Sequence, residues 1–540
     1  MQKQNIRSLA DTGRHNSFIY PNKPALIFEE RSTTYKELHL RSNQVANGLL
    51  EMGTTKLISQ PQKRIAYLGK NTDIYFELLL GAAKANVVMV AVNWRLAPEE
   101  IKYVLEDSEA ELLFVETEFQ GVANEVYNDL EKPNVIVVIE SSRSESVSQV
   151  QMNCVQFREW QSAFSDIDPS IPIAADDVAL QMYTSGTTGK PKGVQMTNAG
   201  LMALRESEEK AGDWAQWAPD DVSLVAMPVF HIGGTAWGFT GLYQGATNVI
   251  MKQADPIEII RLVERYQVKK LFAVPALLLS MVQYQGATPE CFKSVDVVLY
   301  GASPIPEQLL KEAMKLFNAD FVQLYGMTET TGSMTCLPPD QHKLDGAGRL
   351  KSCGRALPGI EIKIVNELGQ SVDPFIVGEI LIQTPSLMKG YWKRPEDTEK
   401  VLQNGWYRSG DAGYLDDEGY LYIHDRMKDM IVSGGENIYP AEIESALFDH
   451  PKVKDVAVIG VPSKRWGEEV KAIIVLSENQ ACEESHLVEE LISFCATKIA
   501  KFKIPKSIEF TEALPRNHSG KLLKRVLRAP YWEGFERNVN

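Results

Sequence analysis

Tyr183-Thr184-Ser185-Gly186-Thr187-Thr188-Gly189-Lys190-Pro191-Lys192-Gly193 is the most informative stretch of this 540-residue chain. Its glycines and its run of Ser and Thr hydroxyls put many N–H and O–H donors into one short loop, and Lys190 and Lys192 add positive charge. Glycine lets a backbone approach a ligand closely, and successive amides form an anion nest, so the loop suits a polyphosphate. It is not a Walker A loop, which needs four residues between its first glycine and Gly-Lys-Ser/Thr. Here two residues separate Gly186 from Gly189, and Pro191 stops a helix continuing from Lys190. The plain alternative is a polar surface loop.

The chain before this loop alternates helical and strand patterns. Thr34 and Glu37 have the spacing of a capping box, followed by Leu38, Val45, Leu49 and Met52 at helical intervals. Ile65–Leu68, Val87–Val92, Leu112–Val115 and Val135–Ile139 read as strands, with helices over Asp73–Ala83 and Pro98–Asp107. Such alternation predicts helices packed on largely parallel sheets. Ser141 to Ser148 reads as an exposed connection. Beyond about residue 350 short strands take over at Ile360–Val365, Glu379–Gln383 and Leu421–His424, separated by Gly, Pro and Asp turns. After Asp425 the pattern becomes mixed again, with a helix over Ala441–Leu447, strands over Val456–Val461 and Ala472–Leu476, and a helix over His486–Ile499.

Composition bounds the function. Apolar residues make up 44% and charged residues 24%, as in an ordinary globular protein. Fifty-six Lys and Arg against 71 Asp and Glu give a net charge of −15, which argues against nucleic acid as a partner. The six cysteines form no CxxC pair, so neither a zinc site nor a redox motif is expected. The amino end lacks the apolar core of a signal peptide, Phe76 to Val92 is too short and too charged to span a bilayer, and no targeting tail is recognised, so cytoplasm is the expectation.

Further segments occur in a fixed order after the glycine loop: Pro228-Val229-Phe230-His231-Ile232-Gly233-Gly234, Tyr300-Gly301-Ala302-Ser303-Pro304, Tyr325-Gly326-Met327-Thr328-Glu329-Thr330, Gly405-Trp406-Tyr407-Arg408-Ser409-Gly410-Asp411, Asp425-Arg426-Met427-Lys428-Asp429, Ser433-Gly434-Gly435-Glu436-Asn437 and Pro515-Arg516-Asn517-His518-Ser519-Gly520-Lys521. Together with the loop they resemble the adenylate-forming superfamily of acyl-CoA synthetases, peptide-synthetase adenylation domains and firefly luciferase, over essentially the whole chain. The resemblance implies an α/β fold: a large N-terminal domain, residues 1–425, of two α/β sheet subdomains plus a β-rich subdomain, and a small mobile C-terminal α+β domain, residues 426–540, with a hinge at Lys428. It implies an acid that attacks the α-phosphate of ATP, and a thiol that then displaces AMP.

By the same resemblance, Thr184, Ser185, Gly186, Thr187, Thr188 and Gly189 with Lys192 hold the β- and γ-phosphates, Glu329 and Thr184 hold Mg²⁺, and Thr328 meets the α-phosphate. Tyr325 lies against adenine beside Gly301, Ala302, Ser303, Gly326 and Met327; Asp411 and Arg426 take the ribose; and Lys521 stabilises the transferring oxygens. His231 becomes an aromatic gate beside the carboxylate. The acyl pocket is expected between Phe230, His231, Trp237, Tyr300, Gly301, Leu324, Gly326, Met327 and Gly332, with no Lys, Arg, Asp or Glu among them and hence an apolar far end. Nineteen residues follow Lys521, too few for a carrier domain in cis, so coenzyme A is the favoured thiol. Arg95, Gly434, Gly435, Glu436, Trp466, Phe502 and Lys506 are its implied contacts.

The segment from Asp425 to Pro440 looks most like bacterial fatty-acyl and aryl-acyl CoA ligases, which implies a fatty acid, with a cinnamate- or benzoate-type acid as the alternative. Transfer to a separate carrier protein, a luciferase-like oxidase and a non-catalytic nucleotide-binding regulator are rivals; damage at Lys192, Glu329, Asp411 or Lys521 would mark the last, and all four are intact. A homodimer and transient membrane contact through the basic, aromatic tail, at the inner membrane face, are open expectations.

Overall fold

Strands Arg64–Leu68, Val88–Val92 and Leu112–Glu116 are buried at every position, as happens only when a parallel sheet is covered on both faces. A computed structural model describes residues 6–52, 62–128, 135–139, 154–184, 190–344, 349–426, 429–433, 436–477, 484–516 and 522–533. These strands lie in an eight-stranded sheet ordered Gly390–Tyr391, Lys192–Thr197, Val178–Thr184, Val88–Val92, Arg64–Leu68, Leu112–Glu116, Val135–Ile139, Cys154–Gln156. Pairing is parallel from Val178–Thr184 onward and antiparallel at the edge that carries Lys192–Thr197. The expected Ser141–Ser148 connection lies outside the described residues.

A nine-stranded sheet is ordered Arg355–Ala356, Gly332–Leu337, Asp320–Met327, Val297–Gly301, Lys270–Ala273, Val222–Val225, Thr247–Ile250, Pro24–Phe28, Arg31–Thr34. Its middle is parallel, so the carboxyl ends of several strands converge on one side. One hydrophobic core joins both sheets, with Ile65, Met89 and Leu180 from the first and Leu224, Val249 and Val298 from the second. Helices Asp73–Lys84 and Ile232–Gln244 sit in that shared layer. Tyr75 and Thr235 hydroxyls meet at 2.7 Å across them. A Cβ at Gly238 would stand 2.3 Å from Phe76, so the absence of a side chain sets how closely the two helices approach.

The expected capping box forms: the Thr34 side chain accepts from Glu37 N, and Glu37 accepts from Thr34 N at 2.8 Å. Two ionisable side chains buried in the helical layer, Glu77 and Lys84, have polar partners, as buried polar groups require. Glu77 meets Arg158 at 2.6 Å and Arg41 at 3.3 Å, and Lys84 Nζ contacts Ser42, Asn43 and two His39 atoms within 3.0 Å.

The β-rich region is an antiparallel sheet of Glu361–Val365, Gly378–Gln383, Trp406–Leu415, Leu402–Gln403 and Leu421–Arg426. The last unit places Glu436–Ile438, Ile431–Ser433, Gly467–Leu476, Val453–Ser463 and Ser507–Phe510 in one sheet, under helices Pro440–Phe448 and Glu484–Ala496. Its own core, built on Ile431, Ile443, Leu447, Val458, Ile474 and Leu491, is separate from that of the large unit. The second helix ends at Ala496, short of the expected Ile499.

Candidate active site

Thr184 ends one strand and Lys192 begins the next, and the two are register partners, so the glycine-rich run is the connection of an antiparallel pair. Ser185 to Gly189 lie outside the described residues. The base of this connection is braced from two sides. The Tyr103 hydroxyl donates to Pro191 O at 3.1 Å, and the Trp392 amide donates to Gly193 O at 2.7 Å. Thr184 Oγ1 donates to Glu329 Oε1 at 3.3 Å, and the Tyr391 hydroxyl donates to the same oxygen at 3.1 Å. Burial and the Glu329 carboxylate raise the Tyr391 pKa, which keeps its hydroxyl a donor. Lys192 Nζ lies 2.9 Å from Asp397, whose carboxyl that ammonium holds below the usual carboxylate range.

Glu329 and Thr328 belong to the short turn Thr328–Thr330, which follows strand Asp320–Met327. The turn is fixed by the segment beside it: Met388 N donates to Glu329 O at 2.8 Å, and Thr331 Oγ1 donates to Ser386 O at 2.6 Å. On the same strand, Tyr325 donates its hydroxyl to Asp411 Oδ2 at 2.7 Å. Asp411 is 4% exposed and is the register partner of Arg426. Gly301 ends the neighbouring strand opposite Leu324, and Ala302 follows at φ +68°. The structure therefore brings Thr184, Lys192, Tyr325, Glu329 and Asp411 to one rim, to which three sheets contribute.

A cavity of about 110 Å³ opens from this rim. Gly233, Ala236, Trp237, Thr240 and Gln244 line it as one stripe of helix Ile232–Gln244, opposite Phe272, Leu299, Leu324, Gly326, Met327 and Gly332. The Trp237 indole is fixed by donating to Leu224 O at 3.0 Å. Of the expected acyl-pocket residues, Trp237, Leu324, Gly326, Met327 and Gly332 line this cavity. Tyr300 does not line the cavity: strand side chains alternate, Leu299 faces inward, and the Tyr300 hydroxyl is used by Gln323 and His342 on the other side. Phe230 is buried against Trp94, outside the lining, and His231 packs on Phe230 at 4.6 Å as the N-cap of the lining helix. Gly301 likewise contributes no lining surface. The expectation of an uncharged wall is corrected, because Arg205, Glu208 and Lys270 line the cavity. Sequence gave no sign of them: Arg205 and Glu208 belong to the helix Asn198–Glu209, and only the tertiary fold turns them inward.

Of the residues expected to meet coenzyme A, Arg95 stands over the Trp94 ring at 4.6 Å and lines a second cleft with Lys252. Trp466 and Phe502 are exposed large apolar side chains, and Lys506 is exposed beside strand Gly467–Leu476. Glu436 pairs with Ser433, which bridges to Gly467, so Glu436 and Trp466 lie near one end of the small sheet. Gly434, Gly435, Lys428 and Lys521 lie outside the described residues. Among the described residues no helix is long and apolar enough to cross a membrane.

The candidate site thus consists of a glycine- and hydroxyl-rich connection flanked by Thr184 and Lys192, the Thr184–Glu329 and Tyr325–Asp411 hydrogen bonds, and a cavity that leaves from the same rim. The chain matches the AMP-binding enzyme family over residues 14–392 and the AMP-binding enzyme C-terminal domain over residues 442–521. It is 37% identical to a fatty acid–acyl-carrier-protein ligase of Streptomyces coeruleorubidus, over 99% of this chain and 98% of that one. Identity to a long-chain-fatty-acid–CoA ligase of Mycobacterium tuberculosis is 35%, over 96% and 97% of the two chains. The o-succinylbenzoate CoA synthetase of Bacillus subtilis, solved with its acyl-adenylate intermediate, superposes with a TM-score of 0.80 at 32% identity, covering 96% of this chain and 97% of that one. The protein belongs to the AMP-binding enzyme family and is an AMP-forming acid–thiol ligase.

Proposed function

We propose that the protein joins a fatty acid to coenzyme A through an acyl-adenylate, releasing pyrophosphate and then AMP. The observation that carries this reading is the shared rim: the cavity for the acid begins at Gly326 and Met327, in the same strand end as Tyr325 and next to the turn that holds Glu329. A carboxylate leaving this cavity meets the α-phosphorus of a nucleotide whose base lies on Tyr325 and whose ribose is held by Asp411. The bond from carboxylate oxygen to phosphorus forms as the bond to the bridging oxygen of pyrophosphate breaks. Two anions approach each other, so the groups that matter neutralise and position charge.

Lys192 supplies one such charge when a phosphate oxygen replaces Asp397 as its partner. Ser185 to Gly189 and Lys521 are proposed to supply the rest. Glu329 Oε1 and Thr184 Oγ1 are hard oxygen donors 3.3 Å apart, a set that suits Mg²⁺ completed by phosphate and water oxygens. Bound there, Mg²⁺ would neutralise the leaving pyrophosphate.

A second reading, transfer to a carrier protein in trans, is favoured by the name of the Streptomyces relative, and an aryl acid remains the alternative substrate. The test is AMP release from ATP and Mg²⁺ with a panel of acids from acetate to palmitate, benzoate and coumarate, with coenzyme A or a phosphopantetheinylated carrier. AMP release that depends on both acid and coenzyme A supports the first reading. Dependence on the carrier alone supports the second.

A further inference from the structure

Thr184 and Lys192 are each preceded by a residue that is anchored outside the strand pair: Tyr183 comes before Thr184, and Pro191 before Lys192. Both anchors lead to Asp107, in helix Pro98–Ser108. The Tyr183 hydroxyl donates to Asp107 Oδ2 at 2.7 Å. The Tyr103 hydroxyl donates to Pro191 O at 3.1 Å and lies 3.4 Å from Asp107 Oδ1. Arg394 Nη2 joins the two, donating to the Tyr103 hydroxyl at 3.0 Å and to Asp107 Oδ1 at 3.4 Å. Tyr103 and Asp107 are four residues apart, which puts them on one face of their helix.

The backbone of Asp107 holds a third point. Its carbonyl accepts from Trp392 Nε1 at 2.8 Å, and the Trp392 amide donates to Gly193 O at 2.7 Å. Trp392 and Arg394 belong to the segment that brings Tyr391 to Glu329 and Asp397 to Lys192. Behind Tyr183 the bonds continue. Gln181 donates to its hydroxyl at 3.2 Å, and buried Arg64 donates to Gln181 at 3.0 Å. A Cβ at Gly193 would stand 2.6 Å from Gln181 Nε2, so the glycine leaves room for this relay. Burial and the Asp107 carboxylate raise the Tyr183 pKa, which keeps its hydroxyl a donor. Helix stability does not account for Asp107. It sits in the last turn, at the negative end of the helix dipole, and no basic residue accompanies it there.

We propose that Asp107 is a positioning residue for the nucleotide phosphates: it ties Tyr183 and, through Tyr103 and Arg394, Pro191 to one carboxylate, and so sets where Thr184 and Lys192 stand. This rests on the phosphate-side role given above to Thr184 and Lys192. Asp107 itself touches no substrate. Its effect reaches the β- and γ-phosphates and not the adenosine, because Tyr325 and Asp411 take no part in these bonds.

The test measures binding of ATP with Mg²⁺, and of AMP, to the full chain by calorimetry. Asp107→Asn keeps the shape but leaves one acceptor oxygen where the carboxylate has two, so Tyr183 and Arg394 compete for it. ATP binding weakens by about tenfold or more, as a displaced positioning group costs, while AMP binding stays within about twofold of the parent. In the AMP-release assay KM for ATP rises in step and KM for the acid does not. Tyr183→Phe and Tyr103→Phe each delete one hydroxyl, weaken ATP severalfold on their own, and add little to Asp107→Asn, because members of one network act non-additively. Should Asp107→Asn fail to fold, the two tyrosine variants carry the same test. ATP affinity at the parent value in these variants, or ATP and AMP weakened equally, overturns the inference: the first denies the role, and the second marks general damage to the fold. Lys192→Ala separates this from the reading beneath it. If that variant binds ATP as the parent does, the phosphate-side role of Lys192 falls, and the inference with it.

Discussion

Glu329 Oε1 receives one hydroxyl from Thr184 at 3.3 Å and another from Tyr391 at 3.1 Å, so its orientation is set from both sides before any ligand arrives. Groups that orient a metal-binding carboxylate tune metal affinity by about ten- to a hundredfold. Tyr391→Phe is therefore expected to fold normally and to raise the Mg²⁺ concentration for half-maximal activity by about tenfold, with a smaller change in kcat at saturating Mg²⁺; an unchanged Mg²⁺ titration would count against the role. Residues such as Glu329, Lys192 and Asp411 could be named from short motifs, because each sits inside a recognisable local run. Their partners could not. Tyr391 and Asp397 lie in a segment far along the chain, and only the pairing of Gly390–Tyr391 with Lys192–Thr197 brings them in. A different residue governs stability rather than chemistry. Glu116, 8% exposed and accepting from Lys70 N at 2.8 Å, is pushed up to about 7 by burial from an ordinary 4.5. Between these two values the folded state keeps a proton that the unfolded chain releases, so stability falls as pH rises through this window. Glu116→Gln removes that dependence. The unfolding midpoint of the variant is expected to gain on the parent as pH rises from about 4.5 to about 7, and a pH-independent difference between the two would refute the assignment.

Strand ends, rather than helices or loops alone, build the nucleotide side of the site, and two glycines set how closely those ends approach. A Cβ at Gly301 would stand 2.1 Å from Leu324 O, and one at Gly326 would stand 1.9 Å from Gly332 O. Neither carbonyl can move without opening the sheet next to Tyr325. Gly301→Ala is expected to lower the melting temperature by several degrees, as overpacking by about 1–3 kcal/mol does, and to weaken ATP binding by about tenfold or more. ATP affinity that stays at the parent value, measured by calorimetry, would show that the close approach does not shape the nucleotide site. The central strands of the other sheet were legible in the sequence because a strand covered on both faces is a continuous apolar run, and Val88–Val92 and Leu112–Glu116 are such runs. Helix Leu9–Ile19 was not legible, because its buried residues include Thr12, Gly13, His15 and Asn16 and show no apolar period. The hairpin that follows it gave no hint of which sheet it would join. That choice is made by the pairing of Leu26 with Asn248, more than two hundred residues apart.

At the scale of the molecule, the proposed catalytic set is divided between two units with separate cores, and the link between them can be confined to very few residues. Arg426 is still paired with Asp411 in the sheet of the large unit, whereas Asp429 is already ion-paired with Arg528 of the small unit at 2.8 Å. Met427 and Lys428 alone lie between those anchors in the sequence. The change of pattern near residue 425 was visible in the sequence, and the matched family segments, 14–392 and 442–521, fall on either side of it. The position of the hinge within that interval was carried by the resemblance, because no composition or period distinguishes a pivot from a plain linker. If the small unit must turn between the two half-reactions, to withdraw Lys521 and admit the thiol, the pivot needs free backbone torsions at Lys428. Proline there fixes its φ, removes its N–H and restricts Met427 as well. Lys428→Pro is expected to retain acid-dependent exchange of pyrophosphate into ATP within about threefold while thioester formation falls by about a hundredfold or more, since a blocked domain motion stops only the step that requires it. Pre-steady-state trapping of the acyl-adenylate separates the two: adenylate that accumulates to one equivalent and is not discharged by coenzyme A locates the pivot at Lys428. Equal loss of both steps would mean that proline has disturbed the site itself and that the turn occurs elsewhere.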